Sequence, residues 1–315
     1  DSAPDQRMDN VKKDVRYALR TLVRRPTTTI VAVATLGLGI AASTAMFSVV
    51  NAVLLTQLPF PEADRIVRFY PTNPSLQGHP TIGDAAERGS FSPPEYTAVR
   101  ELSEGIFEAS AMVAGWSRPL VSDAEGPNER LAVGMTTHGF LSRVLAIAPL
   151  LGRYPGPEDQ AAGRRVLVLT EGFWERRYGR DPTAVGRSLF VNGNPHEIVG
   201  IAPAAAQVPG SDFDVELWRL IDPDPDALGN HSWYGFARLS PGVTPEQAAT
   251  ELTRRFGEGL GAEHDHGVSV FAEQEEQVRG VEGPLLLLTS AALLLLLVAV
   301  GNVAVLLVGV ALDRK

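Results

Sequence analysis

With 315 residues, 44% of them apolar and 21% charged, the chain is long enough for one or two sizeable cores and not polar enough for general disorder. Its formal charge of −9 argues against nucleic acid as a partner. The absence of cysteine excludes disulfides, thiolate metal sites and cysteine catalysis.

Residues 1–25 read as a basic amphipathic helix on the cytoplasmic side. Val15, Leu19, Leu22 and Val23 recur at helical spacing, and Arg16, Arg20 and Arg24 form a second row four residues apart. Two readings stay open for that row: a topology signal, or a docking surface for a cytoplasmic partner. From Pro26 to Pro61 no charge occurs, and none occurs from Gly283 to Leu312. Each gap exceeds the ~20 helical residues that span a bilayer core, which predicts transmembrane helices over 26–58 and 284–312. The first stretch is too long and starts too late for a cleaved signal peptide, whose apolar core runs ~7–15 residues. Small residues Gly37, Gly39, Ala41 and Ser43 in the first helix are candidates for close helix packing. Asn302 in the second is a candidate too, because a buried amide in hydrocarbon needs a partner.

Orientation follows from the basic flanks. Arg7, Lys12, Lys13, Arg16, Arg20, Arg24 and Arg25 precede the first helix, and Arg314 and Lys315 follow the second, whereas the stretch from Glu62 to Glu282 holds 32 acidic against 19 basic residues. Basic flanks resist translocation, so both ends are expected inside and the acidic middle outside.

In the outer domain, Arg65–Tyr70 reads as a strand. Ser92, Pro93 and Glu95 then form a capping signal that starts a helix, followed by strands in "FEASAMVAG" and "ERLAVGMTT". A second capped helix starts at Thr244, with Pro245 first, Gln247 third and Ala248, Leu252 and Phe256 as its apolar row; strands "WYGFARL" and "VSVFAE" flank it. The expected fold class is α+β: two βαβ-like units over 59–137 and 231–282, paired into one sheet layered on two helices. Residues 138–230 have another texture and read as an inserted subdomain. It contains a short helix and Pro-rich loop, a strand running into a helix stopped by Gly179, and a hairpin turned at Asn192 and Gly193. Its end, "DPDPDALGN", reads as a return linker.

No catalytic, cofactor or metal site emerges. His264 and His266 around Asp265 lack a distant third ligand and read as a polar turn. Glu171 and Glu175, one helical turn apart, have Arg176 and Arg180 beside them and read as an ion-paired face. Trp174, Trp218 and Trp233 read as core. There is no nucleophile elbow and no phosphate-binding Gly-rich loop ending in Lys-Ser/Thr.

"DVRYALRTLVRRP" followed by "LGLGIAASTAMFSVVNAVLL" resembles the leading helix of bacterial permeases of the MacB and FtsX type, in particular the large orphan-permease group. "GFLSRVLAIAPLLGRYPGPED", "VLVLTEGFWERRYGRDPTAVGRSLFVNGNPHEIVGIAP" and "ARLSPGVTPEQAATEL" resemble the periplasmic core domain that follows, and "LLLLTSAALLLLLVAVGNVAVLLVGVALDRK" resembles its second helix. The resemblance implies an inner-membrane subunit that is not an enzyme and carries no cofactor. It implies that a cytoplasmic ABC ATPase drives motion of the periplasmic domain for export or mechanotransmission, with a second permease half or a homodimer completing the assembly in the lipid bilayer. Family members carry two further helices after the second, so transport is expected of more than residues 1–315. The alternative is a membrane-tethered periplasmic binding or sensor module.

Overall fold

The computed structural model describes residues 26–55, 58–79, 83–123, 128–260 apart from 212, 225, 228 and 230, and 267–312. The basic segment with Arg16, Arg20 and Arg24, and the His264–His266 stretch, lie outside the described residues. The chain forms two compact units, one from residues 1–56 with 278–315 and one from 57–277.

In the first unit, α1 (Pro26–Val50) ends in one π-helical turn over Asn51–Leu55, so the expected continuous helix over 26–58 changes its hydrogen bonding after Val50. α1 with its π-helical turn, and α7 (Glu282–Leu312), carry stretches long and apolar enough to cross a membrane, Thr29–Leu54 and Glu282–Val305. The two helices pack against each other.

The described residues of the second unit are built on a 12-stranded sheet. Its first helix, α2 (Pro93–Leu102), starts where the capping signal puts it: the Ser92 backbone N–H and hydroxyl both donate to Glu95 Oε2, at 2.8 and 2.7 Å. The long helix α5 (Pro245–Leu260) is capped reciprocally by Thr244 and Gln247. Strands β1 (Ile66–Pro71), β2 (Phe107–Ser117), β11 (Trp233–Leu239) and β12 (Val268–Ala272) lie in the order β12-β1-β11-β2. Adjacent pairs are antiparallel, so the two βαβ units interleave as in a ferredoxin-like β-α-β-β-α-β arrangement. The core under α2 and α5 is made of Phe69, Phe91, Tyr96, Val99, Leu252 and Phe256 with their neighbours. Gly235 has to be glycine here: a Cβ would lie 2.5 Å from the Phe69 ring.

Residues between β2 and β11 extend the same sheet. "ERLAVGMTT" is not one strand. It splits into β4 (Glu129–Arg130), which pairs with β3 (Leu120–Ser122), and β5 (Val133–Thr136), which joins β2 to β10 (Leu217–Leu220). Leu131 and Ala132, between them, are buried, which turns the chain away from the β4 ladder. From β10 the order continues through β7 (Val166–Thr170), β9 (Asn194–Ala202), β8 (Ser188–Val191) and β3, with β6 (Leu151–Gly152) beside β9. The hairpin of β8 and β9 turns at Asn192 and Gly193, both at positive φ, as the sequence predicts. Short helices α3 (Pro157–Ala161) and α4 (Glu171–Tyr178) complete this part, α4 ending at Gly179 in the left-handed region. The sheet runs without a break past the expected limits at 138 and 230, and β3 and β4, which precede 138, pair toward β8. A last short helix, α6 (Glu273–Val278), follows β12 directly, so Glu273, the last residue of the expected strand, starts a helix instead.

Candidate functional site

The chemistry of this domain concentrates where the chain enters and leaves it. Glu273, the first residue of α6, is fully buried and paired in two-pronged fashion with Arg68 of β1: Nη2 donates to Oε1 at 2.7 Å and Nε to Oε2 at 3.0 Å. Val67 and Phe69 point into the core under the helices, so Arg68 points to the opposite face, where its guanidinium lies 4.8 Å from the Phe236 ring centre and also donates to the Pro209 carbonyl at 2.9 Å. Burial pushes the Glu273 carboxyl up to about 7 even though Arg68 pulls the other way. One turn on, Glu276 accepts from the Tyr70 hydroxyl at 2.8 Å and from Arg88 Nε at 3.0 Å, and Arg88 stacks 3.8 Å from the Phe271 ring centre. Burial raises the Tyr70 pKa further above its ordinary value, so its hydroxyl stays protonated as donor.

The incoming chain is held beside the outgoing one. Gln274 of α6 accepts the Leu58 backbone N–H at 3.2 Å. Three residues later the backbone is gripped by Arg238 of β11, 3% exposed, which donates to the carbonyls of Pro61 at 2.9 Å, Glu62 at 3.2 Å, Arg143 at 3.2 Å and Val144 at 3.1 Å. Arg65 adds ion pairs to Glu62 and Glu108 and bonds to the Leu239 carbonyl. Arg68 and Arg238 sit on β1 and β11, the two central strands of the interleaved units, and Arg65 immediately precedes β1. Displacing either chain end would break hydrogen bonds made by buried side chains, Glu273 and Arg238 among them.

None of these residues stands out in the sequence as a site. The signal was present as single charges inside strand patterns: Arg68 in "RIVRFYP", Arg238 in "WYGFARL" and Glu273 closing "VSVFAE".

The residues singled out for helix packing separate in the first unit. Gly39 is buried against α7, and a Cβ there would meet Leu296 Cα at 3.3 Å and Ala299 Cβ at 3.4 Å. The Ser43 hydroxyl donates to the Ala292 carbonyl at 3.3 Å. Gly37, Ala41 and Asn302 are exposed, and nothing lies within 4 Å of a Cβ built at Gly37. Elsewhere, Arg180 bridges Glu171 at 2.8 Å and Glu175 at 3.0 Å, and Trp218 and Trp233 are buried. Among the described residues no group of three or more His, Asp or Glu is placed to hold a metal ion.

The family model of the MacB-like periplasmic core domain matches residues 29–255. A domain of a Porphyromonas gingivalis protein described as a permease shares the fold, with 15% identity, a TM-score of 0.51, and coverage of 68% of this chain and 92% of that one. The periplasmic region of MacB from Actinobacillus actinomycetemcomitans aligns at 12% identity and TM-score 0.49, over 68% of this chain and 92% of that one. The extracellular domain of the noncanonic ABC-type transporter YknZ from Gram-positive bacteria aligns at 12% identity and TM-score 0.46, over 65% and 99%. No curated protein matches the sequence. With the family match spanning most of the chain and the mixed sheet domain flanked in sequence by two apolar helices, the chain belongs to the family of the MacB-like periplasmic core domain.

Proposed function

We propose that the chain is a permease-type subunit of the inner membrane that turns the work of a partner cytoplasmic ABC ATPase into motion of its periplasmic domain, for export or mechanotransmission. In this reading both apolar helices span the membrane, the N-terminus is cytoplasmic, residues 57–277 are periplasmic, and a second permease half or a second copy completes the assembly. The uneven charge supports the orientation: seven basic residues precede the first helix, and the domain is acidic. Arg16, Arg20 and Arg24 are the proposed docking row for the ATPase, and Gly39 with Ser43 the proposed moving contact between helices.

The observation that carries the reading is the grip on the two chain connections. Leu58 and Gln274 are bonded to each other, Arg238 holds Pro61 and Glu62, and Arg68 holds Glu273. A domain that only needed a tether could hang from flexible linkers. Here a displacement of either connection is passed to the central strands through buried charge pairs and hydrogen bonds. The test is purification of the full-length chain in mild detergent with identification of the cytoplasmic protein that comes with it. An ATPase carrying a phosphate-binding loop is the expected result; reproducible isolation without any ATPase would count against the permease reading and for the tethered module.

A further inference from the structure

A second cluster of unusual chemistry lies far along the sheet from the chain connections and plays no part in the permease reading. Strands β7 and β9 are parallel and β10 runs antiparallel to β7, so the starts of β7 and β9 meet the end of β10. At that corner is a cavity of about 270 Å³ whose lining includes Arg164, Arg165, Asn194, His196 and Arg219. This is just below the ~300–1,000 Å³ typical of ligand pockets, a size for a small ion rather than a drug-sized molecule.

Arg219 is the residue without an explanation. Every other inward-facing arginine described above has oxygen acceptors. The Arg219 Nε is buried with no hydrogen-bond partner, its Nη2 points at the Met135 sulfur at 2.9 Å, and no carboxylate pairs with it among the described residues. A thioether is a weak acceptor, so the half-buried guanidinium is poorly compensated by the protein on its inner side. Its neighbours make matters worse: Arg165 is close enough to repel it, and burial and that repulsion both lower the Arg219 pKa. Arg165 is itself exposed, steadied by Asn194 Oδ1 at 3.2 Å.

The carboxylates of the cavity do not neutralise this. Asp159 is taken up by Arg153, at 2.5 and 2.9 Å, and by Arg164 at 3.3 Å, and these arginines hold its carboxyl down to about 2. Asp222 is exposed to water, where its field is screened. His196 is 4% exposed, and its Nδ1 lies 2.9 Å from the Asn194 carbonyl, which can only accept, so Nδ1 carries the proton. Burial, with Arg219 and Arg165 nearby, keeps the ring below its ordinary pKa and therefore neutral, a polar wall rather than a third cation.

We propose that this cavity is a binding site for a small soluble oxyanion, a phosphate or carboxylate group, seated on the Arg219 guanidinium with Arg165 as the second cation. A guanidinium offers a planar fork of N–H groups that matches both anions.

The test uses the full-length chain in detergent, in a buffer free of both anions, titrated calorimetrically with sodium phosphate and separately with sodium acetate at constant ionic strength. Saturable binding of at least one, with a Kd of about 1 mM or tighter, is expected, and the tighter of the two assigns the class. Arg219→Met should weaken it about ten- to hundredfold, and Arg165→Gln less. Without added anion, Arg219→Met should unfold at a temperature equal to or above that of the parent, since it removes a half-buried cation that has no carboxylate partner among the described residues. That readout separates a ligand-binding arginine from a structural one. Absence of saturable binding by either anion, equal affinity in Arg219→Met, or loss of anion-free stability in that variant would overturn the proposal.

Discussion

Replacing Glu273 by Gln probes the junction where the domain hands the chain to the second apolar helix. Burial raises the Glu273 pKa from an ordinary 4.5 to about 7. At about 1.4 kcal/mol per pH unit, this gap corresponds to about 3 kcal/mol. The direction follows from which state holds the proton more tightly. Below pH 4.5 the carboxyl is protonated in both states and its contribution is fully present. Between 4.5 and about 7 the unfolded chain ionises while the folded one keeps its proton, so stability falls as pH rises, and above about 7 the contribution is gone. An amide side chain has no proton to lose, so the stability of Glu273→Gln relative to the parent should rise by about 3 kcal/mol between pH 4.5 and about pH 8. For a domain of this size that is a relative gain of roughly 6–12 °C in midpoint. The four tryptophans make intrinsic fluorescence a usable probe of thermal unfolding in detergent across that pH range. A stability gap that stayed constant with pH, or that narrowed as pH rose, would refute the reasoning: it would mean that Arg68 keeps the carboxyl ionised in the folded state throughout.

Leu252→Asp places a charge where a side chain 1% exposed now packs under α5 and should cost several kcal/mol, read as a lower urea midpoint; an unchanged midpoint would contradict the buried face of that helix. Arg238→Met strips the carbonyls of Pro61, Glu62, Arg143 and Val144 of their donor and should cost about 3–5 kcal/mol by the same assay, whereas a surface arginine such as Arg187 should cost under about 1 kcal/mol. Because the chain has no cysteine, single cysteines at Ser2 and at exposed Ala205 report topology directly. An impermeant thiol reagent on cells with a permeabilised outer membrane should label the Ala205 position and spare the Ser2 position; labelling of both would remove the two-pass orientation.

The parts of the fold that were legible are those set by neighbours in sequence. Ser92 with Glu95 and Thr244 with Gln247 announce helix starts because a cap is made within four residues, and Asn192 with Gly193 announces a hairpin because only a few residue types accept positive φ there. The row of Ala248, Leu252 and Phe256 gave the buried face of α5 for the same reason. What did not show was anything decided by partners far along the chain. "ERLAVGMTT" breaks into two strands because β4 and β5 have different neighbours, and a ladder partner leaves no trace in the strand's own alternation. Arg68 and Arg238 looked like interruptions in apolar strands, since their acceptors are Glu273 and the Pro61–Glu62 backbone, well over one hundred residues away. The helix rows divided similarly: Gly39 and Ser43 meet α7 while Gly37 and Ala41 are exposed, a choice of face that small-residue spacing cannot make alone.

In the proposed function the helix pair is a working part, coupled to an ATPase, and not a tether. The most direct measurement is ATP turnover of the full-length permease with its ATPase in proteoliposomes, comparing the parent with Gly39→Leu combined with Ser43→Leu. The two leucines overfill a contact in which a Cβ at position 39 already lies 3.3 Å from the Leu296 backbone, a mismatch of about 1–3 kcal/mol. The account predicts normal insertion with permease-stimulated turnover clearly lowered; turnover equal to the parent's at equal membrane levels would contradict it and leave the helices as an anchor.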